Sequence, residues 1–473
     1  MNVLIVSTNR NKNPVIVMPY GACLVAQACE ETGHRVAVLD LMFSSDPAGL
    51  LKKELKRIKP DVVGLSIRNI DNNNLMNPEV YHGELLGLVN TIKIYSGAII
   101  VLGGAAIGIM PEEFLRFTGL SLAVTGYGEI VFPLLLKAIS QKTSLDIKGV
   151  ARRENGVFKR VGTNDITMGK TYNVPDFNKW INTRSYKRQL SSMPVQTKRG
   201  CPFECIYCTY PLIEGRKYQL IEADSVIEAI KNLVEKGFDD IEFVDNVFNS
   251  PYEQALEICI KIKDEKIKAR FQALSLHPKY VDDKLLQVMQ NAGFSGIGIT
   301  AESASDKVLA NLGKNYNLNE LRSAALVVQK YKIPCFWMFM LGGPGETKQT
   351  VEETMDFARY YIRPRDVVFF NIGIRIYPET ILENKAEEEG IKNKEANLLK
   401  PLYYISKDLD SRWIVSRVKK KIKDNFNFID SNTMETNFLP AVSNLSYLFG
   451  MKPPLWKNTA IIRHMARDMG MNI

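Results

Sequence analysis

Short apolar runs alternate with amphipathic stretches over the first 140 residues of the chain. Continuous apolar runs are typical of buried parallel strands, and apolar residues at helical spacing are typical of the helices that cover them. The pattern predicts alternating strands at residues 3–7, 35–39, 62–67, 98–102 and 122–125 and helices at residues 21–32, 47–58, 83–95, 111–117 and 129–139. This alternation favours a Rossmann-like or flavodoxin-like α/β sheet, which binds ligands beyond the carboxyl ends of its strands.

A second alternating region begins at residue 193. It predicts strands at residues 194–197, 240–245, 270–273, 296–300, 335–341 and 367–374 and helices at residues 225–236, 252–265, 282–292, 319–331 and 347–361. Six β/α units are two short of a closed eight-stranded barrel, so the prediction is a partial (β/α)6 barrel. In barrels of this type the chemistry lies at the C-terminal rim of the strands.

The remaining segments complete a four-part organisation. Residues 141–192 are predicted as a connector whose hairpin turns at Asn155 and Gly156, a turn signal flanked by apolar positions. Beyond residue 395 the β/α rhythm stops, and residues 396–473 are predicted as a mainly helical cap over the barrel mouth. The expected domains are therefore residues 1–140, 141–192, 193–395 and 396–473.

Composition is that of a globular protein with more than one core. The chain has 473 residues, 45% hydrophobic and 24% charged. Its most apolar run, residues 98–110, is too short to span a bilayer, and its first residues predict a strand rather than a signal peptide. Seven cysteines, three of them clustered, favour a reducing, cytoplasmic location. The net charge of +9 is spread along the chain, and no aromatic-basic pattern indicates nucleic acid.

The most informative motif is the cysteine cluster Cys201, Cys205 and Cys208, with C-x3-C-x2-C spacing. One loop can direct three thiolates at an iron–sulfur cluster, whereas four ligands are usual, so one iron stays open. A zinc site is the alternative, but no fourth Cys or His lies nearby. The other four cysteines lie on an apolar strand or on amphipathic helices and are predicted to be packing residues: Cys23, Cys29, Cys259 and Cys335.

This spacing, with the aromatic Tyr207 just before the third cysteine, resembles the cluster loop of the radical S-adenosylmethionine (SAM) enzymes. Together with the α/β domain upstream, the chain resembles the cobalamin-dependent (B12-binding) branch of that family. The resemblance covers about residues 1–390. It implies three cofactors: a [4Fe–4S] cluster held by the three cysteines, SAM on the open iron, and cobalamin in its methylcobalamin form.

The resemblance assigns SAM-binding roles along the barrel rim. Tyr207 is placed near the adenine, and Glu302 is expected to receive the ribose hydroxyls, against a salt-bridge alternative. Asp245 and Asn246 occupy the position of the family's Gly-Gly-Glu motif, which this chain lacks, and a helix N-cap is their competing role.

Two later strand ends complete the expected SAM site. Gly342 and Gly343 belong to a Gly-Gly-Pro-Gly-Glu turn that permits backbone contact with adenine, and Glu346 is expected to hold that turn. Arg375 is a candidate for a SAM or substrate carboxylate, with an outward structural arginine as the alternative.

Cobalamin is expected at the strand ends of the first domain, whose loops are rich in Asn, Ser, Arg and Gly. Glycines allow close backbone approach, and the polar side chains supply hydrogen bonds. The candidates are Asn9, Ser66, Arg68, Asn69, Gly103, Gly104, Gly126, Gly128 and Glu129. The family's S-x-L and G-G elements correspond to Ser66 and to Gly103 and Gly104. The alternative is an interaction module that holds no cofactor.

One departure concerns the cobalt. The D-x-H-x-x-G loop that ligates cobalt in better-known B12 enzymes is absent, so cobalamin is expected to bind without a histidine ligand. Arg68 or a neighbour would then face the lower side of the corrin; a loop hydrogen-bonding role is the alternative for Arg68.

The activity implied by the resemblance is methylation of an unactivated carbon or phosphorus by way of methylcobalamin and a 5′-deoxyadenosyl radical. Alternatives are a non-methylating member that cyclises, contracts or rearranges a ring, and an iron–sulfur protein for binding or electron transfer. The substrate class stays open among a small molecule, a lipid and a peptide. An external electron donor such as flavodoxin or ferredoxin is expected.

Overall fold

A computed structural model describes residues 1–162, 166, 167, 169, 174–435 and 439–468. Its first domain is a seven-stranded sheet in the order β2-β1-β3-β4-β5-β6-β7. The strands are β1 (Asn2–Ser7), β2 (Arg35–Asp40), β3 (Val62–Ser66), β4 (Ile99–Gly103), β5 (Leu122–Val124), β6 (Val150–Glu154) and β7 (Val157–Arg160). The first five are parallel, as predicted, and the strand order reverses between β1 and β3.

The hairpin around Asn155 and Gly156 forms, with both turn residues at positive φ. It is more than a connector, because β6 pairs antiparallel with β5 and so extends the first sheet. Its Arg160 also reaches the barrel side, where it pairs with Glu379 at 3.3 Å. The domain boundaries given above stay a prediction.

Helices cover both faces of the first sheet, at Tyr20–Glu31, Pro47–Ile58, Leu85–Tyr95, Ala105–Ile109, Pro111–Thr118 and Gly128–Gln141. Local sequence explains their limits. Asp46 accepts a hydrogen bond from the Gly49 amide at 2.9 Å and Pro47 occupies the first turn, which begins the second helix. Two short helices, Phe177–Trp180 and Thr183–Arg188, lead to the barrel.

The second domain is an open, all-parallel sheet in the order β18-β15-β14-β13-β12-β11-β8. The six predicted strands are β8 (Met193–Val195), β11 (Asp240–Phe243), β12 (Arg270–Leu276), β13 (Phe294–Glu302), β14 (Cys335–Leu341) and β15 (Val367–Ile372). Two small antiparallel two-stranded sheets lie beside it, β9 (Lys198–Arg199) with β10 (Gln219–Leu220), and β16 (Ile374–Arg375) with β17 (Tyr403–Tyr404). Its helices are Tyr210–Glu214, Ala223–Glu235, Tyr252–Asp264, Asp283–Asn291, Asp306–Asn311, Leu318–Gln329, Lys348–Tyr361 and Ile381–Glu388, with a 3₁₀ turn at Pro278–Tyr280.

The structure adds a seventh barrel strand, β18 (Phe428–Asp430), to the six that the sequence predicted. It pairs in parallel with β15 and comes from the segment predicted to be helical. Three residues carry too little periodicity to be recognised as a strand. The strand forms because β15 would otherwise leave unpaired backbone groups at the sheet edge.

The C-terminal segment otherwise consists of helices Ser411–Asp424, Ser431–Met434, Leu439–Leu448 and Thr459–Asp468 and a 3₁₀ turn at Leu455–Asn458. Part of it enters the barrel. A Cβ on Gly296 would lie 2.9 Å from Cζ2 of Trp456 and 3.0 Å from Cγ of Pro454, and Trp456 packs edge-on against Phe336. The segment therefore fills the lower barrel as well as covering its rim. Within the described residues, every helix is too short or too polar to cross a bilayer.

A buried ion pair joins the two domains. Arg375 of the barrel donates from Nε to Asp71 of the first domain at 2.8 Å, and both side chains are at most 3% exposed. Nearby, the Tyr377 hydroxyl donates to Asn73 at 2.9 Å. Because an unpaired charge would be costly at this depth, these contacts set how the strand ends of the two sheets face each other.

Candidate active site

The three cysteines lie on one loop after β9, and the loop is held by its backbone. The Cys201 amide donates to Gly215 and the Cys208 amide to Cys205, each at 3.1 Å. Gly200 before it has φ +81°, and a Cβ there would lie 2.0 Å from the Lys217 carbonyl, so only glycine fits this turn.

The thiols themselves suit a cluster. All seven cysteines are free, Cys201 is buried, and Cys205 and Cys208 are half-buried. Burial raises the pKa of Cys201 and raises the pKa of Cys208 to about 12, so a bound cation is needed to stabilise thiolates here. No three His, Cys, Asp or Glu side chains of the described residues surround a single ion position. A multi-iron cluster, which spreads its thiolates over separate irons, fits the loop better than one zinc ion.

Asp245 supports the cluster loop from below, which corrects its assignment to SAM. Its Oδ1 accepts from the Thr197 amide and its Oδ2 from the Thr197 hydroxyl, both at 2.7 Å, and Lys198 lies 3.6 Å away. The carboxylate side chain is fully buried. With both oxygens engaged, Asp245 positions the loop and presents no free acceptor to a ligand.

Tyr207 and Glu302 are brought together at the barrel rim, as their predicted roles require. The Tyr207 hydroxyl donates to Oε1 of Glu302 at 2.7 Å, and Lys314 donates to the same oxygen at 2.9 Å. Lys314 also lies 5.2 Å from the centre of the Tyr207 ring. Burial lowers the pKa of Lys314, but Glu302 outweighs it and holds that pKa well above its ordinary value. A buried ammonium therefore stands beside both Glu302 and the cluster loop.

These residues border an open space at the rim, here named the rim cavity. Its volume is about 460 Å³, and its walls include Tyr207, Glu302, Met338, Asn371 and Met434. Apolar walls with a few polar groups are typical of small-molecule sites of this size. The Glu302 backbone has φ +56°, a strained conformation for glutamate that aims its side chain at this space.

The glycine turn after β14 is held as expected by Glu346. The amides of Gly342 and Gly343 both donate to Oε2 of Glu346, at 3.0 Å for Gly343. Burial raises the pKa of Glu346 to about 7, while these two amides lower it. Neither glycine lies in the wall of the rim cavity. Their predicted contact with adenine therefore stays a prediction.

Arg375 lines the rim cavity, but each nitrogen of its guanidinium is already engaged, so its assignment to a SAM or substrate carboxylate stays a prediction. Besides the ion pair with Asp71, it donates to the carbonyl oxygens of Ile376 and Leu398, each at 2.5 Å. These contacts give Arg375 a structural role at the domain interface, although the side chain is buried and not outward as the alternative expected.

A second space lies at the strand ends of the first sheet and is here named the sheet-edge cavity. Its volume is about 310 Å³. Six of the nine predicted cobalamin residues line it: Ser66, Gly103, Gly104, Gly126, Gly128 and Glu129. A Cβ on Gly103 would meet no atom closer than 4.0 Å and so would project into open space, whereas one on Gly104 would lie 2.4 Å from the Ile67 carbonyl. Missing side chains thus shape a cradle for a bulky ligand.

The other three cobalamin candidates lie elsewhere. Arg68 and Asn69 line a third space, of about 390 Å³, between the two domains, here named the interdomain cavity. Arg68 donates to Asn69 Oδ1 at 3.0 Å. Asn9 lines neither cavity, and its Oδ1 accepts from the Asn11 amide at 3.3 Å, which indicates a loop-forming role.

The sheet-edge cavity is closed by barrel residues that sequence reasoning missed. Arg199 pairs with Glu129 at 2.6 Å, and Glu214 accepts from the Asn246 side chain at 2.8 Å. Asn246, predicted for SAM, therefore faces the sheet-edge cavity, which it lines. Burial raises the pKa of Glu214, and Arg199 opposes this. This network connects the cluster loop directly to the cavity of the first domain.

Signals for the missed residues were weak. Arg199 and Glu214 flank the cysteines in sequence, but a charged residue beside a motif is usually a solvated one. Lys314 follows a glycine at φ +71°, where a Cβ would lie 2.5 Å from the Glu204 carbonyl. That Leu-Gly-Lys sequence could have indicated a loop packed against the cluster loop.

Two family models match the chain. Residues 8–136 match the B12 binding domain, and residues 195–358 match the radical SAM superfamily. Together these ranges make up well over half of the chain, and they coincide with the two domains that contain the cavities and the cysteine loop.

Individual relatives agree with this division. The chain is 27% identical to an uncharacterised methyltransferase of Pyrococcus horikoshii, covering 72% of this chain and 73% of the relative. It is 20% identical to a tryptophan 2-C-methyltransferase of Streptomyces laurentii, covering 82% and 74%. Among solved structures it is similar to the radical SAM methyltransferase TsrM of Kitasatospora setae, with cobalamin and a [4Fe–4S] cluster bound: TM-score 0.85, 21% identity and 99% of both chains covered.

The first domain has a sheet edge lined by glycines, and the second is a partial barrel with a three-cysteine loop at its rim. This combination defines a class of two-domain enzymes in which a corrinoid-binding domain is joined to an iron–sulfur barrel. The chain belongs to the B12-dependent radical SAM enzymes. The family, the fold class and the expected set of cluster, SAM and cobalamin are thereby confirmed. The individual binding residues remain assigned by geometry and resemblance.

Proposed function

We propose that this chain is a methyltransferase that transfers a methyl group to an unactivated carbon or phosphorus of a small molecule. The observation that carries the proposal is the arrangement of the three cavities. The sheet-edge cavity is walled by Glu214 and Asn246 from the barrel, and the rim cavity and the interdomain cavity share Pro14, Asn72, Asn73 and Glu435. The rim cavity and the interdomain cavity therefore adjoin each other, and the sheet-edge cavity borders the barrel through Glu214 and Asn246. Holding the reacting groups of both cofactors close together would contribute much of the rate.

Each region has residues that fit its cofactor. Cys201, Cys205 and Cys208 would hold the cluster, Glu302 and Tyr207 would receive SAM, and Ser66 with the glycine cradle would receive cobalamin. When bound, SAM and the cluster supply radical chemistry and cobalamin supplies the methyl group. The chain's own residues bind and orient these groups and exclude water from the interior.

Lys314 has a positioning role in this scheme. It holds Glu302 at the rim through a 2.9 Å contact, so the carboxylate is preorganised before SAM arrives. Ribose hydroxyls would take the place of the Tyr207 hydroxyl as donors to Glu302. Because Lys314 is 7% exposed, its charge also acts on the cluster loop through protein rather than through water.

The descriptions of the relatives support methylation over the alternatives. The Pyrococcus and Streptomyces relatives are both described as methyltransferases, and the Kitasatospora enzyme has also been solved with its tryptophan substrate and a SAM analogue, at TM-score 0.86. A ring-forming or rearranging reaction is the second candidate within the family. A protein for electron transfer alone would need no cavity beside Glu302.

The decisive experiment measures the products of SAM in the reconstituted enzyme. A methylase of the proposed type uses SAM twice, so each methylation should yield 5′-deoxyadenosine and S-adenosylhomocysteine in near-equal amounts. Deoxyadenosine alone, with a product of unchanged carbon count, would favour ring formation or rearrangement. S-adenosylhomocysteine without 5′-deoxyadenosine would be consistent with methylation but would argue against the radical step.

The cobalt environment gives a further test of the same proposal. Of the four histidines, His34, His82, His277 and His464, none lines the sheet-edge or interdomain cavity. Electron paramagnetic resonance of the cob(II)alamin form should therefore lack nitrogen superhyperfine splitting from an axial base. We also propose that an external donor such as flavodoxin or ferredoxin supplies the electron; single-turnover reduction by either protein would test this.

A further inference from the structure

Tyr210 lies directly after the cluster loop and has no part in the cofactor contacts proposed so far. It begins the helix Tyr210–Glu214, two residues beyond Cys208. Burial raises the pKa of the Cys208 thiol, and a hydrogen bond from the Tyr210 amide lowers it, so that amide lies against the thiol. The backbone of Tyr210 is therefore fixed to a cluster ligand, and this contact does not depend on the side chain.

The same helix is anchored to the first domain. The Tyr127 hydroxyl donates to the carbonyl oxygen of Glu214 at 2.7 Å. A Cβ on Gly108 of the first domain would lie 3.5 Å from Cγ1 of Ile213, which is ordinary van der Waals contact. Tyr210 is thus placed by the cluster loop at one end of its helix and by the first domain at the other.

The Tyr210 ring is uncovered although it lies inside the molecule. Burial raises the pKa of its hydroxyl to about 12, with Glu214 and Cys208 adding to the rise and Arg68 opposing it. Yet the residue is 44% exposed. Both observations hold where a side chain deep in the protein borders an internal space, and Tyr210 lines the sheet-edge cavity.

A second apolar residue of the barrel shows the same combination. Val244 directly follows β11, is 36% exposed and lines the sheet-edge cavity. Removing apolar surface from water contributes roughly 25 cal/mol per Å², so a ring and a branched side chain left uncovered in an interior favour a ligand that covers them. The barrel therefore presents an uncovered apolar face to the cavity that the glycines of the first domain line.

A flat macrocycle fits a cavity with these two walls, because aromatic rings pack well against flat conjugated rings. We propose that Tyr210 is a positioning residue that packs its ring against the bound corrin and so fixes the distance between the cobalt and the cluster loop. The inference rests on the proposed function, since it takes the sheet-edge cavity as the cobalamin site. It deepens that function by assigning to the corrin a barrel side chain whose backbone is bonded to Cys208.

The first test measures where the Tyr210 ring lies. The holoenzyme is prepared with ring-deuterated tyrosine and poised as cob(II)alamin, whose unpaired electron interacts with nearby deuterons in electron spin echo measurements. We expect deuterium modulation in the native chain and loss of most of it in Tyr210→Phe, which keeps an unlabelled ring. Tyr20 and Tyr127 also line the cavity but are present in both proteins, so the difference isolates Tyr210. Tyr360→Phe, at a position 71% exposed, is the matched control and should leave the modulation unchanged.

The second test measures cobalamin binding by absorbance titration. Tyr210→Phe should bind within about twofold of the native affinity and Tyr210→Ala at least tenfold more weakly, because only the alanine removes the ring. Both variants should keep their iron, since the hydrogen bond to the Cys208 thiol comes from the backbone.

Three results would overturn the inference: equal modulation in the native chain and Tyr210→Phe, native cobalamin affinity in Tyr210→Ala, or loss of iron from Tyr210→Ala. The last result would make the side chain a support of the cluster loop instead. A native protein that binds no cobalamin would reject this inference and the proposed cobalamin site together. SAM products that exclude methylation, alongside cobalamin binding that depends on the Tyr210 ring, would reject the proposed function and keep the inference.

Discussion

At the strand ends of the first sheet, Gly103, Gly126 and Gly128 line a cavity to which they contribute no side chains. At the barrel rim, the equivalent position is occupied by the buried ion pair of Glu302 and Lys314 and by Tyr207, which donates a hydrogen bond to Glu302. Both regions lie beyond the carboxyl ends of parallel strands, where α/β folds bind ligands. One offers shape and backbone to a bulky ligand. The other offers a preformed ion pair to a small polar one.

The difference predicts opposite vulnerabilities. A cradle made of missing atoms is destroyed by adding atoms, and a rim made of buried charges is disturbed by removing one. The cluster loop lies between the two regions, since Asp245 anchors it from the barrel while Arg199 ties it to Glu129 of the first domain. Changes in the loop should therefore have larger effects than changes in either region.

The largest effect is expected from the triple variant in which Cys201, Cys205 and Cys208 become Ala. With no thiolates on the loop, iron and SAM cleavage should be lost completely, while cobalamin binding at the sheet-edge cavity should persist. Iron analysis and the visible spectrum of anaerobically reconstituted protein measure this. The buried Cys259→Ala and Cys335→Ala are the controls and should keep the cluster; loss of iron in either would show that the ligands are misassigned.

Gly103→Leu tests the cradle by adding atoms. Its Cβ would meet no atom closer than 4.0 Å, so the longer side chain should enter the sheet-edge cavity and weaken cobalamin binding by at least tenfold without unfolding the protein. Cobalamin titration by absorbance measures the change. Gly87→Leu on an open helix surface is the matched control. Unchanged cobalamin affinity in Gly103→Leu would place the ligand elsewhere.

Breaking the ion pair between the domains tests whether the two regions need a fixed orientation. Asp71→Ala leaves the Arg375 guanidinium buried and should lower the free energy of unfolding by about 3–5 kcal/mol. Denaturant titration measures this, and Asp71→Ala combined with Arg375→Met should recover part of the loss. Equal stability of Asp71→Ala and the native chain would mean that the domains are held by other contacts.

Lys314→Met tests the rim by removing charge. A positive charge near the cluster favours its reduced form, so its loss should lower the cluster potential by tens of millivolts, on the order of a Coulomb interaction through partly buried protein. Lys314→Arg should restore most of the shift. Potentiometric titration followed by electron paramagnetic resonance measures it, and an unshifted potential in Lys314→Met would limit Lys314 to holding Glu302.

The smallest effect is expected at Glu346, whose folded-state pKa of about 7 exceeds its ordinary value because of burial. The folded protein then holds this proton more tightly than the unfolded chain does. The stabilising contribution is present below about pH 4.5 and is lost as pH rises through 7. The unfolding midpoint of Glu346→Gln should therefore change less with pH between pH 5 and 7.5 than the midpoint of the native chain does. Parallel curves would contradict the raised pKa.

Prediction from sequence succeeded where the signal was local and periodic. The strands of the first sheet and the six β/α units were recognisable because buried parallel strands form continuous apolar runs. The cysteine spacing indicated the cluster loop because three ligands on one loop need no tertiary information. Glu302 and Tyr207 were proposed through the family resemblance, and the structure brings them within 2.7 Å of each other.

The sequence did not indicate which partners the charged side chains at the strand ends would take. Arg375 and Asp245 lie at strand ends, where ligands usually bind. Arg375 forms an ion pair with Asp71, and Asp245 accepts hydrogen bonds from Thr197. A charged residue pairs with whichever opposite or hydrogen-bonding group the fold brings nearest, and these partners are 304 and 48 residues away. The strand Phe428–Asp430 was missed for the same reason, since only the free edge of β15 makes it a strand.

The sequence by itself determined the two α/β domains and the cysteine loop, because periodicity and ligand spacing are properties of short segments. The set of cofactors followed from the family resemblance that these segments carry. Only the tertiary structure decided which polar side chains remain available for chemistry. It engaged Asp245 and Arg375, placed Lys314 on Glu302 and turned Asn246 toward the sheet-edge cavity. Long-range pairing sets those outcomes, because each buried charge must be matched by a group from a distant part of the chain.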